Sequence, residues 1–124
     1  DSVVDVIWCD IGPTKKWGHP TGTEQHLKFA HYPLAVWDRP DFAQPDVVLV
    51  DGRFRTGCAL AAAFRSTAPV KVLIDDYVQR RKYHRVERFL GSPYMVGRMA
   101  VFHVEPRPVP PEALAEIIEM MTRP

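Results

Sequence analysis

Three apolar, β-branched runs in this 124-residue chain end in aspartate. Val3–Cys9 is followed by Asp10, Val47–Val50 by Asp51, and Val70–Ile74 by Asp75 and Asp76. A carboxylate just past a strand of an open α/β sheet faces the crevice in which such sheets bind ligands. There it can accept hydrogen bonds from a ribose or an amine, hold a metal, or act as a general base. Aspartate also makes turns and helix caps after strands, so one such residue carries little weight. Three strand ends, one with an adjacent pair, carry more. Two close carboxylates raise the pKa of one of them unless a cation sits nearby. Candidate cations follow two of the strand ends: Arg53 and Arg55 after Asp51, and Arg80, Arg81 and Lys82 after Asp75–Asp76. Converging arginines suit a phosphate or a carboxylate, and the same residues also suit a solvated basic face.

The remaining titratable groups narrow the chemistry. The histidines stand apart as His19, His26, His31, His84 and His103, with no HExxH and no paired Cys/His spacing, so no zinc site is expected. His84, near the Asp75–Asp76 edge, and His19, after Trp17-Gly18, are candidate general bases. Cys9 and Cys58 lie in apolar segments and read as small buried hydrophobes in a reducing compartment. No GxGxxG, GxxxxGK[ST] or GxSxG occurs, which removes the dinucleotide, Walker and nucleophile-elbow readings.

These residues need a scaffold, and the chain supplies one. Val47–Val50 does not alternate, which predicts a central parallel strand covered on both faces. Thr56–Arg65 is alanine-rich and helical, with Thr56 as a candidate N-cap, and Val70–Ile74 makes the next strand. Together they form a βαβ unit. Arg81–Leu90 predicts a helix with Tyr83, Val86, Phe89 and Leu90 inward. Tyr94–Val96 and Met99–Val104 read as antiparallel edge strands. Pro106, Pro108, Pro110 and Pro111 stiffen a linker, and Glu112–Met121 is a helix with Leu114, Ile117, Ile118 and Met121 on one stripe. That stripe packs on the sheet or on a second copy in a homodimer. Residues 13–45, broken by Pro13, Pro20, Pro33, Pro40 and Pro45, read as a long irregular excursion with a short helix near Glu24–Phe29.

Bulk properties set the frame. Apolar residues make up 46% and charged residues 25%, an ordinary globular balance, and the net charge of +1 predicts neither a nucleic-acid partner nor a membrane patch. No run approaches the roughly 20 apolar residues of a membrane span, and no signal-peptide pattern stands at the start. A cytoplasmic protein with a small-molecule ligand is the expectation.

Strand order tests aspartate-rich families. Receiver domains carry the acidic pair before the single aspartate, the reverse of the order here. Haloacid-dehalogenase-type phosphatases carry DxDx[TV], whereas Asp51-Gly52-Arg53 has arginine at the second acid. A closer resemblance is to the C-terminal part of class I S-adenosylmethionine-dependent methyltransferase-like proteins. Asp46–Gly52 resembles their fourth strand, Val72–Tyr77 the fifth and Val4–Asp10 the third. Across the chain, Asp10-Ile11-Gly12-Pro13-Thr14, Trp17-Gly18, Trp37-Asp38-Arg39-Pro40, Asp51-Gly52-Arg53-Phe54-Arg55 and Asp75-Asp76-Tyr77 resemble a bacterial group of unassigned substrate.

The resemblance implies a three-layer Rossmann-like α/β fold with a mostly parallel sheet and an antiparallel C-terminal edge. Residues 1–124 would form one α/β domain, the C-terminal part of a larger one, whose glycine-rich first loop and second-strand acid have no counterpart in this sequence. It implies S-adenosylmethionine as cofactor, with Asp10, Ile11, Asp51, Gly52 and Arg53 near it, and Asp51, Asp75, Asp76 and His84 as catalytic candidates. Methyl transfer from a sulfonium is an in-line displacement helped by positioning and a base. Metal-dependent relatives place a cation on strand-end acids; Arg53 and Arg55 argue against one here. The competing expectation is a degenerate Rossmann-like domain that binds a ligand or partner without catalysis.

Overall fold

The β-branched runs form a four-stranded sheet in a computed structural model that describes residues 4–124. The strands are β1 (Val47–Val50), β2 (Val70–Ile74), β3 (Tyr94–Val96) and β4 (Met99–Val104), in the spatial order β1-β2-β4-β3. The helices are α1 (His31–Leu34), α2 (Arg55–Arg65), α3 (Glu87–Leu90) and α4 (Leu114–Met121). Of the predicted mostly parallel sheet, only the β1–β2 pairing is parallel among the described residues; β2–β4 and β3–β4 are antiparallel. The tight turn at Gly97, whose φ is 61°, folds β3 back on β4 and sends β4 against β2.

One face of the sheet carries the core. Val48, Val72 and Phe102 share a row, as do Val50, Ile74 and Ala100, and both rows pack under the helices. The alanines of α2 (Ala59, Ala61, Ala62 and Ala63) are fully buried, so the helix backbone lies close to its neighbours. Gly57 shows how close: a Cβ there would stand 3.1 Å from the Cα of Met121 and 3.1 Å from Pro33 Cγ. The opposite row, Leu49–Leu73–Val101–Tyr94, belongs to neither core cluster among the described residues, and of its members only Val101 is buried. The expectation that β1 is covered on both faces therefore fails in these residues: Val47 and Leu49 are 51% and 60% exposed, and β1 lies at the sheet edge. Among the described residues the sheet therefore has a helical layer on one face, and the third layer is not confirmed.

Several predicted boundaries shift for local reasons. The strand expected over Val3–Cys9 does not form across residues 4–9, and Val3 lies outside the described residues. Val4, Val6 and Trp8 are exposed and no described strand pairs with them, so the β propensity of the run finds no ladder to join. The long excursion is irregular as expected, with short turns of helix at His26–Lys28 and Ala35–Asp38 around α1. Arg81–Leu90 begins as a 3-10 segment over Arg81–Val86 and becomes α-helical only at Glu87. Thr56 does not cap α2. The helix begins one residue earlier, behind Phe54, and the Thr56 hydroxyl donates instead to the Met120 carbonyl at 2.8 Å, tying α2 to α4.

Candidate functional site

The loops after β1 and β2 enclose a cavity of about 530 Å³ lined by Trp17, His19, Asp51, Gly52, Arg53, Arg55, Asp76, Arg80 and Lys82. It lies at the carboxyl ends of the two parallel strands, the place an open α/β sheet offers a ligand. Four cations face two carboxylates across it, so the cavity favours an anion.

Backbone strain concentrates here. Among the described residues, three non-glycine residues have positive φ: Trp17 (65°), Phe54 (55°) and Asp76 (54°). Trp17 and Asp76 line the cavity, and Phe54 separates the two arginines that do. Each such conformation costs on the order of 1–3 kcal/mol and persists only where its surroundings enforce it, a pattern typical of functional sites. For Phe54 the enforcement is burial: the ring is wholly inaccessible, packed edge-on to Phe29 at 5.4 Å and against Tyr32 at 5.1 Å.

The left-handed turn at Phe54 sends its two neighbours to different tasks. Arg55 turns inward and is 8% exposed. Its Nη1 donates to the Asp75 carbonyl at 2.6 Å, its Nε to the Gly52 carbonyl at 3.1 Å and its Nη2 to Asp51 Oδ1 at 3.2 Å, while its guanidinium lies 5.4 Å from the Tyr83 ring centre. Arg55 is thus a staple between the ends of β1 and β2. Arg53 turns outward and reaches His19, with Nη1 2.6 Å from Nε2. The loop bearing His19 is closed by a bridge between Thr14 and Pro20 and by the Lys15 N–H donating to the His19 carbonyl at 2.7 Å, so it forms a fixed wall.

His19 accepts from Arg53 only when neutral. Desolvation first, then the positive charges of Arg53, Lys15 and Lys82, hold its pKa below the ordinary histidine value. Protonation therefore occurs later on acidification than for a free histidine. Replacing Arg53 by Ala removes one of those charges, and the His19 titration midpoint followed by NMR is expected to move upward; a midpoint that stays put or falls removes the coupling.

The remaining candidates separate. Asp75 does not line the cavity: its carboxylate takes both Nε (3.2 Å) and Nη2 (3.4 Å) of Arg98, and Arg98 Nε lies 3.3 Å from Asp76 Oδ1. Arg98, brought beside β2 by the β3–β4 hairpin, is the cation that neutralises the adjacent acids. Sequence reasoning looked for it among Arg53–Lys82 because only the antiparallel insertion of β4 places it there. His84 does not line the cavity either. Its Nε2 lies 2.9 Å from the Tyr77 carbonyl and its ring stacks on Tyr77 at 4.4 Å, which fits a structural role better than that of a base. Asp10 accepts from the Gly12 N–H at 2.9 Å and from Lys28 Nζ at 2.7 Å, and these bonds lower its pKa. Ile11 is buried with Phe29 and Phe54. Neither joins Asp51, Gly52 and Arg53 in the cavity. Cys9 and Cys58 are partly rather than fully buried, and desolvation pushes the Cys58 thiol up to about 12, which leaves it inert.

The residues that would meet S-adenosylmethionine can be tested against its chemistry. A cavity in which four cations outnumber the carboxylates of Asp51 and Asp76 does not suit a sulfonium. Asp51, Gly52 and Arg53 also line a second cavity with Tyr32 and Trp37, of about 190 Å³, below the roughly 300 Å³ at which ligand pockets begin. No glycine-rich turn follows a strand among the described residues. These residues do not by themselves form a cradle for that cofactor. No group of three or more metal-ligating side chains occurs among the described residues, and no helix there is long and apolar enough to cross a membrane.

No protein-family model matches the chain, and no curated protein matches it. Among solved structures it is similar to the crystal structure of a methyltransferase-like protein from Silicibacter pomeroyi DSS-3, with 58% identity and a TM-score of 0.91 over 95% of this chain. The chain spans 61% of the length of that protein. At that identity and superposition, with a mixed α/β sheet whose C-terminal edge is antiparallel, the chain has a methyltransferase-like fold.

Proposed function

We propose that the chain belongs to an S-adenosylmethionine-dependent methyltransferase and that its strand-end cavity holds the methyl acceptor, a small molecule bearing an anionic group. The observation that carries this reading is the cationic cavity at the ends of β1 and β2, lined by strained Trp17 and Asp76, in a fold similar to that of a methyltransferase-like protein.

Each residue then has a task. Arg53, Arg80 and Lys82 bind the anion and fix the acceptor's orientation, the main contribution a displacement needs. Arg55 holds the two strand ends in register. Asp51, half of whose side chain is in solvent, is the carboxylate placed to take a proton from the acceptor. Trp17 closes the outer wall. S-adenosylmethionine, when bound, supplies the methyl group. Its cradle is not formed by the residues described, so the methyl donor tests the reading most directly. In calorimetry on the full-length protein, S-adenosylhomocysteine is expected to bind at micromolar concentration. Absence of binding at high micromolar concentration would sink the donor and leave an anion-binding domain without transfer chemistry.

A further inference from the structure

A second and larger cavity adjoins the first. A groove of about 820 Å³ runs between the 19–30 segment and α4, with Pro20, Leu27, Phe29, Ala30 and Ile118 among its walls. Leu27 and Ile118 are 81% and 55% exposed, so two large aliphatic side chains stand in water on facing walls of one recess. His19 lines both the groove and the cationic cavity, and Arg53 holds that histidine at the seam.

We infer that the two cavities form one binding site for an amphiphilic anion, with its phosphate or carboxylate head among Arg53, Arg80 and Lys82 and its aliphatic tail in the Leu27–Ile118 groove. The inference rests on the acceptor-site reading of the cavity and adds the substrate class. Charge complementarity sets the direction of the ligand: Arg53, Arg80 and Lys82 line the cavity on one side of His19, while the groove on the other carries the aliphatic walls and a single lysine, Lys15. Arg55 is already spent on three acceptors of the protein itself and does not compete for the head. Each cavity by itself falls in the roughly 300–1,000 Å³ range of small-molecule pockets.

The test compares ethyl phosphate with octyl phosphate, below its micelle concentration, by calorimetry on the whole protein. A buried methylene is worth about fourfold in affinity, so the octyl ester is expected to bind at least about tenfold tighter than the ethyl ester. Ile118→Ser and Leu27→Ser alter exposed side chains, which leaves the fold intact. Each is expected to reduce the chain-length preference while ethyl phosphate binds as before. Arg53→Ala is expected to weaken both esters together. Equal affinity of the two esters, a preference that both serine variants leave untouched, or a preference that survives loss of Arg53 with no weakening would each overturn the inference. So would binding to phosphatidylglycerol vesicles in preference to monomeric octyl phosphate, since that outcome makes the basic surface a membrane face. Failure here is separable from failure of the methyltransferase reading: octyl phosphate binding without S-adenosylhomocysteine binding keeps the amphiphile site and removes the transfer chemistry.

Discussion

Arg55→Ala is expected to destabilise the protein by about 2–4 kcal/mol, read as a shift in the urea midpoint or as a fall in Tm on the order of 10 °C. The side chain is almost wholly buried, and its removal orphans acceptors on both parallel strand ends: the Gly52 carbonyl beyond β1 and the Asp75 carbonyl beyond β2. Asp75 is half-buried, so its carbonyl keeps much of its desolvation cost when the donor goes, whereas water reaches the exposed Gly52; the larger part of the loss is the buried Arg55 side chain itself. Asp51 suffers less, because water reaches the half of its side chain that Arg55 does not cover. Arg55→Lys tests the geometry separately. An ammonium keeps the charge but cannot direct three donors from a planar fork, so the lysine variant is expected to recover less than half of the loss. Arg53→Ala and Asp51→Ala provide the contrast. Arg53 reaches only His19 and the cavity, and Asp51 is an exposed partner in an ion pair of modest value. Both are expected to stay within about 1 kcal/mol of the parent, while Arg53→Ala lowers affinity for an anion and Asp51→Ala lowers methyl transfer rather than anion affinity. If Arg55→Ala proves as mild as Arg53→Ala, the staple is no staple, and Arg55 returns to the group of cations free to meet a ligand.

The division of labour between Arg53 and Arg55 marks the limit of what the residues alone could tell. The strand-end aspartates were legible because an apolar run ending in an acid is a one-dimensional pattern, and the sheet places Asp51 and Asp76 in one cavity. The βαβ unit was legible for the same reason: Val47–Val50, the alanine-rich helix and Val70–Ile74 each carry their period in the chain. Arg98 as partner of the acid pair was not, since it meets Asp75 across 23 positions through an antiparallel pairing that no local pattern encodes. Nor was the helix start. Thr56 has the right side chain for a cap, yet tertiary contact with α4 gives its hydroxyl a better acceptor, and the buried aromatic cluster sets the first turn instead. The failed strand at residues 4–9 teaches the complementary point. β propensity records a fit to a pleated, half-buried surface, and without a neighbouring described strand Val4 and Val6 have no such surface to fit.

Phe54 is where packing and site meet, and its replacement should be the most damaging of all. Phe54→Ala removes a wholly buried ring flanked by Phe29 and Tyr32, a change that costs about 3–5 kcal/mol in packed cores. The backbone adds a sharper expectation. At φ 55° and ψ 44° the residue sits in the left-handed region, which costs a residue with a Cβ roughly 1–2 kcal/mol and glycine almost nothing. Phe54→Gly is therefore expected to be more stable than Phe54→Ala by about 1 kcal/mol, the reverse of the order found inside helices. Equal stabilities, or alanine ahead, would mean that the turn relaxes out of the left-handed region when the ring is gone. The same pair of variants reports on the site. The turn aims Arg53 outward and Arg55 inward, so a relaxed turn moves Arg53 away from His19 and lowers affinity for an anion even in conditions where the variant is fully folded. A variant that keeps the turn, as glycine can, retains that affinity despite its empty core. Affinity that follows the backbone conformation rather than the stability would establish that the buried ring matters to the cavity through the direction it gives to two arginines.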